Sequence, residues 1–364
     1  MPDVWALHYL GRLIREFMKR LPRDPMRFDV FNAFADFGRV EKVSLRDPAA
    51  ATDGFVKGIR SSVSKSLQNE ALLHGIRTES MFEALVVSLA AIELIKQEDS
   101  GEIYASDDTL KVPDFRLILS DKTHLLIEVK NYFQVGDPMK PFELDDTYLD
   151  GLIRYAAIMN CSLFLAVFWV KWNVWTLVKP ESFEADGAKR TLNMLDAMKG
   201  NHMASLGDYT LGTTPPLSLV MHADREKERD IGPDGTGAFT IGKVELYCAG
   251  QPLTDPVERR IATYLMFYGK WNYEAIPKIV GGQIEAVEHR WSPDEDHQQG
   301  FEMVSSLSEM FSRYYRFATQ QDGELARLRL DVNPGAWGML IPEHYERHNL
   351  PLWRFHLRPA DHGN

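Results

Sequence analysis

Cysteine is nearly absent: the 364 residues include only two, Cys161 and Cys248. This offers neither a disulfide framework nor a Cys-x-x-Cys metal pair, which fits a reducing compartment and an expected cytoplasmic location. Long hydrophobic runs are missing too. The most apolar stretch, SLFLAVFWVKWNVWTLV, is interrupted by Lys171 and Asn173, so buried strands are expected there rather than a membrane span. Basic charge is not in surplus, since 41 Lys and Arg against 52 Asp and Glu leave a net charge of −11. That balance argues against a protein that coats nucleic acid, yet leaves room for an enzyme with a local basic groove. No internal repeat is visible, and the opening MPDVWALHYLGRLIREF lacks the basic-then-apolar order of a secretory leader.

What is present is enough apolar material, 45% of the residues, for a substantial core and more than one domain. Residues 1–70 carry 12 Lys and Arg against 9 Asp and Glu, a net of +3, so any phosphate-facing surface is expected to draw on this part. An amphipathic helix is expected over residues 4–21, then helices over 60–74 and 79–97, with Thr78 or Ser80 as N-cap of the latter.

The stretch VPDFRLILSDKTHLLIEVK, residues 112–130, reads as a β-hairpin around Ser120, Asp121 and Lys122. With a three-residue loop, Leu119 faces Thr123, Leu117 faces Leu125, Phe115 faces Ile127 and Pro113 faces Val129, giving a nearly all-apolar face. The other face then sets Asp114 opposite Glu128, with Lys130 two residues further on the same side. A two-residue loop would split the two carboxylates between faces and mix polar with apolar residues. Two carboxylates and an ammonium at the end of an apolar hairpin need partners. All-oxygen ligands suit a hard ion such as Mg2+, with Mn2+ as a substitute, held by Asp114 and Glu128 together with substrate phosphate. Lys130 can orient water or stabilise developing charge, and the set points to phosphodiester hydrolysis.

Pro113-Asp114, thirteen residues, then Glu128-Val129-Lys130 resembles the signature of the PD-(D/E)XK nuclease superfamily, the restriction-endonuclease-like fold. The resemblance implies an α/β fold with an αβββαβ core and a mixed central sheet, spanning roughly residues 60–180. It implies a Mg2+-dependent deoxyribonuclease, an endonuclease acting on DNA, with Asp114, Glu128 and Lys130 as catalytic residues. It further implies an acidic residue on the preceding helix that completes the metal shell. Glu83, on the apolar stripe with Val86, Val87, Ala90 and Leu94, fills that place, and Glu79 one turn earlier is the alternative. The helicase-associated branch carries Gln-x-x-x-Tyr on the next helix; here Tyr155 is present but Gly151 stands at the Gln position. The competing reading is a catalytically silent nuclease-fold module that binds nucleic acid or a protein.

The order expected after residue 79 is helix, a short strand at 102–105, the hairpin, a Gly/Pro loop at 131–142 with Gln134 or Lys140 available to substrate, a helix at 144–159, and strands at 162–169 and 173–178. Three regions follow: a basic helical segment 1–59, a nuclease-like domain 60–225, and an α+β C-terminal domain 240–364 of unassigned role that offers a surface for a second copy or a partner protein. In the C-terminal part, helices are expected near 187–200, 256–268 and 298–320 and strands at 217–222 and 283–291. The glycines Gly232, Gly235 and Gly237 read as a hairpin loop, because Pro233 and Asp234 interrupt any phosphate cradle. His344 and His348 complete no zinc motif. The dense C-terminal aromatics read as core.

Overall fold

The computed structural model describes residues 30–359 apart from Leu45, Ser100, Gly101, Glu102, Val135, Gly136, Pro138, Asp296 and Glu343. The expected helix over 4–21 lies outside the described residues. The first two helices, α1 (Phe31–Val40) and α2 (Pro48–Ser66), pack on each other through Phe34, Phe37 and Phe55. Asp47 starts α2 by accepting from Ala50 N, with Pro48 in the first turn.

The next helix, α3 (Glu70–Leu89), begins at Asn69, whose side chain accepts from Leu72 N, and it ends eight residues before the sequence-expected stop at 97. Ala90 takes the left-handed conformation, φ 57°, and the chain turns directly into β1 (Ile92–Gln97). The strand expected at 102–105 is therefore absent at the described positions 103–105, and β1 takes its place. The carbonyls of the last turn of α3 are satisfied from far along the chain. Gly335 N donates to Val87 O at 3.0 Å, and Trp337 N and Gly338 N donate to Ser88 O at 3.1 and 3.0 Å. Gly338 has to be glycine, because a Cβ there would stand 2.1 Å from Leu89 O.

The hairpin forms in the expected register, β2 (Phe115–Leu119) with β3 (His124–Tyr132), pairing Phe115 with Ile127 and Leu117 with Leu125. A short strand β4 (Phe142–Asp145) leads into α4 (Asp146–Ile158), which crosses over to β5 (Ser162–Trp169), and β6 (Val174–Val178) returns beside it. The sheet order is β1-β2-β3-β5-β6, with β3 and β5 parallel and the other neighbours antiparallel. The chain is thus α/β with a mixed sheet. One face of β3 sends Leu125, Ile127 and Val129 into a core with Phe82, Leu85, Phe168 and Trp175, and the other sends Leu126 against Leu149 and Leu152 of α4. Burying each such side chain contributes about 1.5–3 kcal/mol.

Beyond β6 come β7 (Glu184–Asp186), β8 (Lys189–Leu192) and α5 (Met194–Lys199), so the helix expected near 187–200 is confined to its second half, after a strand. Then follow β9 (Thr210–Thr213), β10 (Leu217–Ala223), β11 (Ile241–Cys248), β12 (Gln251–Pro252), α6 (Pro256–Tyr268), β13 (Asn272–Val280), β14 (Gln283–Ser292), β15 (Glu302–Ser306) and α7 (Leu307–Thr319). Residues 302–306 are strand where helix was expected, and α7 starts at a capping box formed by Ser306 and Glu309. A second sheet, wholly antiparallel, runs β12-β11-β10-β14-β13. The boundary expected between 225 and 240 does not part the two sheets by sequence, since β10 pairs with β11 on one side and β14 on the other. One continuous core holds Phe82 and Trp175 together with Leu217, Phe311 and Trp337. Glycines 232–237 form the expected turn, with Gly232 N donating to Thr236 O. Among the aromatics, Tyr315 and Trp337 are buried, whereas Tyr273 is exposed.

Candidate active site

Asp114 stands just before β2, where the ladder ends and a side chain takes over from the backbone. Its Oδ2 accepts from Val129 N at 2.7 Å, while its carbonyl accepts from Glu98 N at 2.8 Å, which anchors the residue between β1 and β3. On β3, Glu128 is 2% exposed. Its Oε1 accepts from Lys130 Nζ at 2.5 Å and from Tyr148 Oη at 2.6 Å. Tyr148 lies in the first turns of α4, with Lys130 Nζ 3.3 Å from its hydroxyl and 4.7 Å from its ring centre. Glu128 Oε2 is buried without a hydrogen-bond partner among the described residues. A buried carboxylate oxygen left in that state costs free energy unless a cation or water meets it.

The electrostatics agree with the geometry. Burial first, and the charges of Glu128 and Glu79 after it, push the Asp114 carboxyl up to about 8, against the Val129 N–H and Lys130. Burial opposes the charge on Lys130, but Glu128, Tyr148 and Asp114 outweigh it and hold its pKa above the ordinary range, so the ammonium keeps its proton. The Glu79 carboxyl is also raised, by burial and by Glu128, with Lys130 and Arg329 working the other way.

Asp114, Glu128 and Lys130 are therefore brought together at one end of the hairpin. Helix α3 is wedged between the first sheet and α7, and Glu83 interacts with Tyr315 of α7. Glu79, one turn earlier, is the helix carboxylate that feels Glu128 and Lys130. Tyr148 was not singled out in the sequence, although it shares a helix stripe with Gly151 and Tyr155 at spacings of three and seven. Those two do other work. Gly151 admits the backbone of residues 109–111, since a Cβ would come within 2.7 Å of Thr109 O, and Tyr155 donates to Glu98 Oε1 at 2.8 Å. Gln134, just beyond β3, is buried with both amide atoms unpartnered among the described residues. The segment carrying His344 and His348 is not helical at its described positions, and Glu258 Oε1 accepts the backbone N–H groups of His348, Asn349 and Leu350 there.

Among the described residues no three His, Cys, Asp or Glu side chains converge as a ready group for a metal ion. Mg2+ does not require one, because it is commonly held by one or two carboxylates and completes its shell with water and phosphate oxygens. Asp114 and Glu128 fit that requirement, with an all-oxygen donor set, a spare buried oxygen on Glu128 and crowded negative charge that a cation would relieve.

No helix among the described residues is long and apolar enough to cross a membrane. No protein-family model matches the chain, and no curated protein matches it. Among solved structures, the chain is similar to Hjc of Archaeoglobus fulgidus, a Holliday junction resolvase from an archaeal hyperthermophile, at 17% identity and a TM-score of 0.26, over 34% of this chain and 97% of that one. At that score the likeness carries no argument about the site, which stands on its own geometry.

Proposed function

We propose that this chain is a Mg2+-dependent nuclease that hydrolyses phosphodiester bonds in DNA, working from a restriction-endonuclease-like core. The observation that carries the reading is the buried, unpartnered Oε2 of Glu128 beside an Asp114 carboxyl raised by burial and by the charge of Glu128. Asp114 and Glu128 would hold the ion, which when bound supplies a Lewis acid for a phosphoryl oxygen and acidifies a water molecule. Tyr148 fixes Oε1 of Glu128 and so leaves Oε2 free to face the ion. Lys130, a permanent cation bonded to the same carboxylate, stabilises negative charge that grows on the phosphoryl oxygens. Glu79, rather than Glu83, adds the third carboxylate to this field.

The test is a cleavage assay of the purified protein on duplex, single-stranded and branched DNA. Mg2+ or Mn2+ should support cutting, while Ca2+, with its looser and larger shell, should bind without efficient turnover. Lys130→Met should lose turnover by about 10²–10³-fold, roughly 3–4 kcal/mol, and still bind Mn2+ in calorimetry. Binding of DNA without cutting under every ion would replace this reading by the silent nuclease-fold module.

A further inference from the structure

Arg329, from the C-terminal half, approaches the candidate site. After α7 the chain turns through β16 (Gln320–Gln321) and β17 (Glu324–Leu325) and is then fastened to the helix it has left. Ala326 N and Arg327 N both donate to Thr319 O, at 2.9 and 3.0 Å, and Tyr315 Oη donates to Leu328 O at 3.0 Å. Leu330 and Val332 pack against the core. Between these fixed points Arg329 is laid on α3, where its Nε donates to Ser80 Oγ at 3.2 Å. Ser80 is buried and adjoins Glu79, so this guanidinium sits beside the helix carboxylate of the site.

Its neighbours are committed elsewhere. Arg77 directs Nε and Nη2 at Thr319 Oγ1 and lies over the ring of Tyr315. Arg313 donates from Nη1 to Tyr268 O and Ser305 Oγ, and Arg316 donates from Nη2 to Asn173 Oδ1. Arg329 differs in that only Nε is used. Among the described residues its two terminal nitrogens make no hydrogen bond and no carboxylate forms a salt bridge with it, while the side chain is exposed. A guanidinium anchored through Nε presents both amino groups as a planar fork, the shape that takes two phosphate oxygens at once. In a chain of net charge −11, an unpaired fork beside the acidic site is a specific placement of positive charge.

We propose that Arg329 binds a phosphate of the DNA backbone next to the scissile one, and that Ser80 is the positioning residue that aims it. The proposal rests on the nuclease reading. It assigns the C-terminal region a share of the substrate contact and so a reason to be packed against α3.

The test measures binding of a fluorescently labelled DNA duplex, with Ca2+ in place of Mg2+, over a range of salt, together with KM and kcat for cleavage under Mg2+. Arg329→Gln should weaken binding about ten-fold at low salt. It should also make the slope of log affinity against log salt shallower by about one, and raise KM while kcat holds. Arg329→Lys should restore the slope and only part of the affinity, and Ser80→Ala should weaken binding about three-fold in the same sense. If Arg329 merely offset the charge of Glu79, its loss would alter Mn2+ affinity and leave slope and KM unchanged, and that result overturns the proposal. A wild-type protein that neither binds nor cuts duplex, single-stranded or branched DNA would instead overturn the nuclease reading itself, and the two failures are told apart by that control.

Discussion

Each of the two large sheets buries a glutamate on an inner strand, and the two are treated in opposite ways. Glu288, on β14 of the antiparallel sheet, is met by Ser218 Oγ at 2.9 Å, Arg290 Nε at 3.0 Å and Lys278 Nζ at 3.2 Å. Burial opposes its charge, but those donors win and hold the carboxyl down at about 2. Glu128, on β3 of the mixed sheet, shares one lysine and one tyrosine on a single oxygen, leaves the other bare, and has a second carboxylate, Asp114, beside it. The difference separates two uses of a buried charge. A fully met carboxylate ties strands together, and an under-met one is kept for something that arrives.

The sharpest way to break this comparison is to remove charge from each site and ask which property falls. Asp114→Asn keeps shape and deletes a carboxylate of the proposed metal site, so metal-dependent cleavage should drop by at least about 10³-fold, on the scale of losing a main electrostatic contributor. Its stability should move the other way. The folded carboxyl titrates near 8 against 3.8 for its ordinary value, so the folded state binds the extra proton and this group's contribution falls as pH rises from about 4 to 8. Metal-free Asp114→Asn should therefore melt a few degrees higher than the wild type at pH 8, with the gap closing toward pH 4. A lower melting temperature at pH 8 would mean that Asp114 is structural.

Glu288→Gln is the mirror image, costing about 2–3 kcal/mol in urea titration while leaving kcat alone. Here the folded carboxyl titrates near 2 against 4.5, so its contribution is whole above pH about 4.5 and is lost as pH falls toward 2. The stability gap between variant and wild type should narrow over that window. Tyr148→Phe removes one charge-assisted bond to Glu128 and should lower turnover about ten-fold with little change in melting temperature. The smallest effect tests the helix: Glu79→Gln should weaken Mn2+ binding a few-fold in calorimetry, and Glu83→Gln should leave it unchanged. If Glu83→Gln were the one to weaken it, the assignment along α3 would be reversed.

The hairpin was legible because its register separates apolar from charged residues, and only one pairing does both. The end of α3 was not. Helix and strand meet at Ala90 with no Gly, Pro or Asn to mark the stop, and Ile92, Leu94 and Ile95 continue an apolar pattern that serves either period. The sequence could not choose between Glu79 and Glu83 either, because periodicity finds the buried side of a helix and not which neighbour lies there. In this fold α3 has two, the sheet and α7. Tyr148 was hidden for a related reason: the matched pattern drew the eye to Gly151 and Tyr155, whereas the hydroxyl that reaches Glu128 belongs to the turn before.

The closure of α3 by Gly335, Trp337 and Gly338 bears on the order in which the chain becomes whole during translation. A ribosome that has released the chain as far as residue 333 has delivered Glu79, Asp114, Glu128, Lys130 and Arg329, yet the carbonyls of Val87 and Ser88 still face water. The donors that close this helix are made after all of those side chains. A nascent chain then carries every side chain of the acidic cluster before it carries the backbone N–H groups that close the last turn of α3, so the helix bearing Glu79 is finished only by residues made about 250 positions later.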